Sequence, residues 1–96
     1  MQKNWCVYLL RCSDGTLYCG ITTDVKRRVA MHNGLLPGGA KYTSGRRPVT
    51  LIARSEKLAK SMALRLEYRI KKLPSGKKER FLIACRDGIP ALPQDT

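Results

Sequence analysis

The sequence predicts a small α+β domain with the element order β-β-α-β-α-α, on three observations. Two short runs of β-branched, aromatic and aliphatic residues, 5–12 and 16–22, flank Ser13-Asp14-Gly15 and give a hairpin signal. Residues 56–73 hold the strongest helical periodicity in the chain, with Ala59, Ala63, Leu66, Ile70 and Leu73 on one stripe. A third apolar run, 49–54, lies between the two halves and starts after Pro48. With 96 residues, 43% of them hydrophobic, the chain supports one modest core and is not a disordered basic tail.

The hairpin register follows from its faces. A two-residue Asp14-Gly15 loop would set Tyr8 and Tyr18 on opposite faces, whereas a three-residue Ser13-Asp14-Gly15 loop pairs Cys12 with Thr16 and sets both tyrosines on one face. The longer loop is preferred because it gathers Trp5, Val7, Leu9, Leu17, Cys19 and Ile21 on a single apolar face and leaves Gly15 in the left-handed position of a type I turn plus bulge. Thr22-Thr23 offer a hydroxyl cap for a helix over 24–33, closed by Gly34. That helix is apolar at Val25 and Val29, but the next positions on its packing face are Arg28 and His32. A long loop, 34–47, follows, with Pro37-Gly38-Gly39 and the basic residues Lys41, Arg46 and Arg47; long loops are often functional. The strand 49–54 and the helix 56–73 come next. Pro74–Gly76 break that helix, and residues 77–86 form a last short helix. The expected domain is 1–86, with 87–96 as a loosely attached tail.

With 19 Lys and Arg against 7 Asp and Glu, the net charge is +12. Such a domain repels itself unless something anionic neutralises it, and nucleic acid is the first candidate. Seven basic residues face one acidic residue over 24–54, and nine face two over 57–80, the pattern of a folded domain with a basic face. The longest clean apolar run, Trp5–Leu10, has six residues, against the roughly 20 needed to cross a bilayer. Met1-Gln2-Lys3-Asn4 does not lead into a signal-peptide core. A soluble cytoplasmic protein without a membrane partner is therefore expected. Cys6, Cys12, Cys19 and Cys85 contain no C-x-x-C pair and only His32 could join them, so they read as small buried hydrophobes in a reducing compartment, not as a zinc site.

Some residues exceed what a core needs. Tyr8 and Tyr18 share the second hairpin face, Arg28 and His32 lie one helical turn apart, Glu67 sits at the margin of the long helix's stripe, and the 38–47 loop is basic. Each has a plain alternative: core tyrosines, a solvated helix edge, a counter-ion for Lys71, a solvated loop. Together, two phenols, a guanidinium, an imidazole and a carboxylate are a kit for phosphodiester cleavage. A carboxylate holds one Mg²⁺ that polarises the phosphate and stabilises the leaving oxygen. An arginine bonds two phosphate oxygens. A phenol or imidazole takes the proton of water, although a free phenol near pKa ~10 is a poor base at neutral pH.

The ordered set of Cys6-Val7-Tyr8, Tyr18-Cys19-Gly20, Arg28, His32 and a glutamate on a later helix resembles the GIY-YIG nuclease superfamily. His32-Asn33-Gly34, Gly39-Ala40-Lys41-Tyr42-Thr43, Arg47-Pro48 and Ala63 with Glu67 bring it nearer to the small, single-domain YhbQ-type bacterial proteins and to the catalytic domain of the eukaryotic branched-DNA endonuclease. The resemblance spans about residues 5–85. Cys6 and Cys19 replace a glycine and an isoleucine of the family's name motif, and Ile21 stands where excision-repair relatives have a lysine. The resemblance implies a three-stranded antiparallel sheet flanked by helices, GIY-YIG endonuclease-like, and catalytic Tyr8, Tyr18, Arg28, His32 and Glu67. Glu67 would be the sole protein ligand of a divalent metal, Mg²⁺ or Mn²⁺. Gly20 would allow close backbone approach, and Lys41, Tyr42 and Thr43 would contact DNA backbone, beside Arg46 and Arg47 of the basic loop. The expected function is a metal-dependent DNA endonuclease acting on branched or single-stranded DNA in repair or recombination, nucleoid-associated when bound. The competing readings are a DNA- or RNA-binding module of the same fold without useful turnover, and a small basic ribosome-associated protein.

Overall fold

A computed structural model describes residues 2–85. The tail expected at 87–96, and Arg86, expected to end the last helix, lie outside the described residues. The elements are β1 (Cys6–Arg11), β2 (Leu17–Thr22), α1 (Val25–His32), α2 (Lys41–Ser44), β3 (Thr50–Arg54), α3 (Lys60–Lys71) and α4 (Ser75–Ala84). They form an α+β fold around one three-stranded antiparallel sheet of order β2-β1-β3.

The three-residue hairpin loop is the one found. Cys12 N donates to Thr16 O at 2.8 Å, Gly15 N to Cys12 O at 2.9 Å, and Gly15 has φ +86°, a conformation that favours glycine. The register pairs Tyr8 with Gly20 and Leu10 with Tyr18, so both tyrosines share a face. On the other face Val7, Leu9 and Cys19 join Ala63, Leu66 and Ile70 of α3 and Leu82 of α4 in the main core, with Trp5, Leu17 and Ile21 packed against it. On the tyrosine face Cys6, Tyr8, Leu10 and Cys12 cluster with Val25 and Val49, flanked by Tyr18 and Val29. All four cysteines are buried free thiols.

Four expectations change in detail. The cap of α1 is Asp24, whose carboxylate accepts from Arg27 N at 3.0 Å; Thr22 Oγ1 accepts from Asp24 N at 3.1 Å and shapes the turn before the helix instead. The 34–47 loop contains the short helix α2. The long helix begins at Lys60 and not at residue 56, because the preceding backbone is committed to the sheet: Ser55 N donates to Val7 O at 2.8 Å, and Trp5 and Leu58 exchange bonds of 2.9 and 2.6 Å. Periodicity alone does not register that competition. The last helix starts earlier, at Ser75 directly after Pro74. Lys78 Nζ, from its second turn, donates to the carbonyls of Ile70 and Lys71 at 3.1 and 3.2 Å, closing the end of α3. Among the described residues no helix is long and apolar enough to cross a membrane.

Candidate active site

Four of the five residues expected to act in catalysis converge on one face. Tyr8 comes from β1, Tyr18 from β2, and Arg28 and His32 from α1, whose Val25 and Val29 seat it against the sheet. The end of α1 is tied to the start of β3 by Asn33, which accepts from Val49 N at 2.7 Å and donates to Val49 O at 3.0 Å. Tyr8 is 1% exposed and His32 wholly buried. The Tyr8 hydroxyl lies 2.8 Å from His32 Nε2.

A third residue settles the direction of that bond. His32 Nδ1 is 2.9 Å from Thr43 Oγ1, and Thr43 Oγ1 donates its proton to Ala40 O at 3.0 Å. A hydroxyl has one proton, so towards the ring Thr43 accepts, and Nδ1 carries hydrogen. Nε2 is then bare and accepts from the Tyr8 O–H. The amide of Ala40, 3.5 Å from Nδ1, competes for the opposite tautomer but is much the longer contact. Burial, then the charges of Arg28 and Arg47, push the His32 pKa down to about 4, so the imidazole is neutral at pH 7. Burial pushes the Tyr8 phenol up to about 12, against the Arg28 guanidinium beside it, so Tyr8 rests as a neutral phenol.

Aromatic rings lead outward from this pair. Tyr18 is 5.0 Å from His32 and 6.4 Å from Tyr8 between ring centroids, and Tyr42 of α2 is 5.6 Å beyond Tyr18. Arg46 caps the row at 4.1 Å over the Tyr42 ring. Arg28 Nη1 donates to Gly38 O at 2.8 Å and to Met31 Sδ at 3.8 Å.

Several expected contacts with nucleic acid become internal ones. Thr43 is wholly buried, so it supports His32 and does not face a DNA backbone. Gly20 lies opposite Tyr8, and a Cβ there would stand 2.5 Å from the Tyr8 hydroxyl oxygen; the missing side chain makes room for the Tyr8 ring. Arg46 pairs with Asp14 at 3.1 Å and donates to Tyr42 O at 2.8 Å, which pins the loop to the hairpin turn. Arg47 Nε donates to His32 O at 2.7 Å while the residue stays exposed, as do Lys41 and Tyr42. The role of Thr43 has no signal in the pattern: it stands eleven residues from His32, across a loop without periodicity.

Glu67 comes from a different layer of the fold. It lies on α3, packed against the opposite face of the sheet, and its carboxylate pairs with Lys71 at 3.2 Å, with the Glu67 side chain 18% exposed. Burial, followed by the charge of Glu67, pushes the Cys19 thiol up to about 12, which puts the carboxylate near β2, one of the two edge strands of the sheet. Among the described residues no three His, Cys, Asp or Glu side chains group as a metal site. A single half-buried carboxylate still fits Mg²⁺, which is bound through one or two carboxylates together with water and substrate phosphate.

Residues 4–80 match the model of the GIY-YIG catalytic domain. The chain is similar to the UPF0213 protein VNG_2274C of Halobacterium salinarum, 58% identical over 73 residues that cover 76% of this chain and 92% of that protein. It is similar in structure to the UPF0213 protein BH0048 of Bacillus halodurans, at 44% identity, 88% and 86% coverage and a TM-score of 0.50. The protein EF2693 of E. faecalis matches at 36% identity, again with 88% and 86% coverage, and a TM-score of 0.57. Both are solution NMR structures. The chain belongs to the GIY-YIG family of endonuclease catalytic domains, and within it to the small, single-domain UPF0213 proteins.

Proposed function

We propose that this protein is a DNA endonuclease that hydrolyses phosphodiester bonds with one divalent metal ion, Mg²⁺ or Mn²⁺, held by Glu67. The observation that carries the reading is the bonded chain Tyr8–His32–Thr43 with Arg28 beside it. Arg28 binds the scissile phosphate and meets the charge that builds on it. Tyr8 takes the proton of the attacking water while passing its own to His32 Nε2. A phenol with its pKa near 12 makes no standing phenolate at neutral pH, and a concerted pass requires none. Thr43 keeps Nδ1 protonated, so that Nε2 stays the accepting nitrogen. Tyr18 walls the site, and Lys41, Tyr42, Arg46 and Arg47 hold the DNA backbone. When bound, the metal supplies positive charge at the phosphate and the leaving oxygen. The substrate is branched or single-stranded DNA, met in the cytoplasm during repair or recombination.

A second reading, a DNA- or RNA-binding module without turnover, draws on the Glu67–Lys71 ion pair, which occupies one carboxylate oxygen. The test is nicking of supercoiled plasmid and cleavage of synthetic branched DNA, with Mg²⁺ or Mn²⁺, by wild type and Glu67→Gln. The nuclease reading expects metal-dependent cleavage that the variant loses. Absence of cleavage with either metal, or a variant that cuts as well as wild type, leaves the binding module.

A further inference from the structure

The loop that leaves α1 carries Leu35, Leu36 and Pro37 on the surface. Leu35 is 78% exposed and Leu36 39%. Other exposed apolar residues include Leu64 and Tyr68, one turn apart on α3, and Ile83 on α4, and exposed apolar residues are ordinary on a protein surface. The two leucines are adjacent, and their backbone is anchored on both sides. Leu35 N donates to Ala30 O at 2.9 Å, and Gly38 O accepts from Arg28 Nη1 at 2.8 Å. The apolar tip is therefore tied to the guanidinium assigned to the scissile phosphate.

Its surroundings select the occupant. Residues 25–55 contain seven Lys and Arg and no Asp or Glu. Asp14 pairs with Arg46 of this segment at 3.1 Å, which leaves the other six cations of 25–55 in excess, and an apolar tip carried on so basic a segment fits a polyanion that offers apolar faces next to its charges. Nucleic acid does so, because its phosphates alternate with stacked bases, and apolar side chains of this kind enter base steps and unstack them. Resting on the nuclease reading above, we infer that Leu35 and Leu36, backed by Pro37, form a wedge. It opens the base step beside the phosphate held by Arg28 and favours DNA whose stacking is already broken there.

The experiment binds the full chain in EDTA, so that cleavage does not intervene, to an intact duplex and to the same duplex with a nick flanked by 2-aminopurine, whose fluorescence rises on unstacking. Wild type is expected to bind the nicked duplex about tenfold more tightly, since it avoids part of the unstacking cost, and to raise the fluorescence. Leu35→Ser/Leu36→Ser, with a melting midpoint checked against wild type, should bring the affinity ratio close to one and lose the fluorescence rise. Leu64→Ser, on a different face, should keep both. Wild type that saturates the nicked duplex without a fluorescence rise, or a double variant that keeps the tenfold ratio, overturns the wedge. Wild type that unstacks DNA in EDTA but never cleaves it with metal supports the wedge and refutes the nuclease reading.

Discussion

The two faces of the sheet are built from alternate residues of the same strands and do opposite work. On one, Val7, Leu9 and Cys19 meet Ala63, Leu66, Ile70 and Leu82 in an apolar contact. On the other, Tyr8 and Tyr18 meet His32, with Thr43 bonded to the ring at Nδ1. The first face gains from burial of carbon and tolerates imprecise shape. The second buries polar atoms, which is costly unless each is bonded. Among the described residues no buried side-chain nitrogen or oxygen lacks a partner. The period of two along a strand thus separates an apolar contact from a bonded polar one, so that substitutions one residue apart should fail in different ways.

The largest effect is expected on the apolar face. Leu66→Ala, at a position 1% exposed, should cost about 2–5 kcal/mol and lower the melting midpoint by roughly 10 °C or more, with activity lost only as the protein unfolds. Gly20→Ala tests the other face. A methyl placed 2.5 Å from the Tyr8 hydroxyl forces the ring aside at ~1–3 kcal/mol. Cleavage at a temperature where the variant is folded should fall much further than its stability; an unchanged rate would separate Tyr8 from the chemistry.

Thr43→Val should cost a similar ~1–3 kcal/mol, because it leaves the His32 Nδ1–H without its acceptor. Imidazole ¹⁵N shifts read the consequence directly: wild type and Thr43→Ser carry the proton on Nδ1, and the valine variant loses that preference. A smaller effect concerns pH. Burial holds His32 down to about 4 in the fold, below the ordinary histidine value of 6.5, so between those values the unfolded chain binds the extra proton. The contribution of this site is complete above about pH 6.5 and is lost as pH falls towards 4. Urea midpoints measured at pH 7.5 and 4.5 should therefore drop more for wild type than for His32→Phe.

The hairpin register and the sharing of a face by Tyr8 and Tyr18 were legible because alternation of apolar residues is local and admits two loop lengths, of which one sorts the core. The start of α3 was not, since the stripe through Ala59 continues smoothly while the backbone of residues 55–58 is taken by Trp5 and Val7. Composition marked the 38–47 loop as basic but did not show that Arg46 and Arg47 spend donors on Asp14, Tyr42 and His32. Gly20 and Thr43 were singled out for contact with nucleic acid. Their function in the fold depends on a ring across the strand and an imidazole in another helix, which no spacing rule encodes.

The most direct test of the division between the faces is Arg28→Ala, assayed for both single-turnover DNA cleavage and thermal unfolding. Arg28 is half-exposed beside Tyr8, so the proposed nuclease predicts a cleavage rate lower by about 10²–10³ with the melting midpoint within a few degrees of wild type. A variant that cuts at the wild-type rate, or whose lost activity merely follows its unfolded fraction, would contradict it.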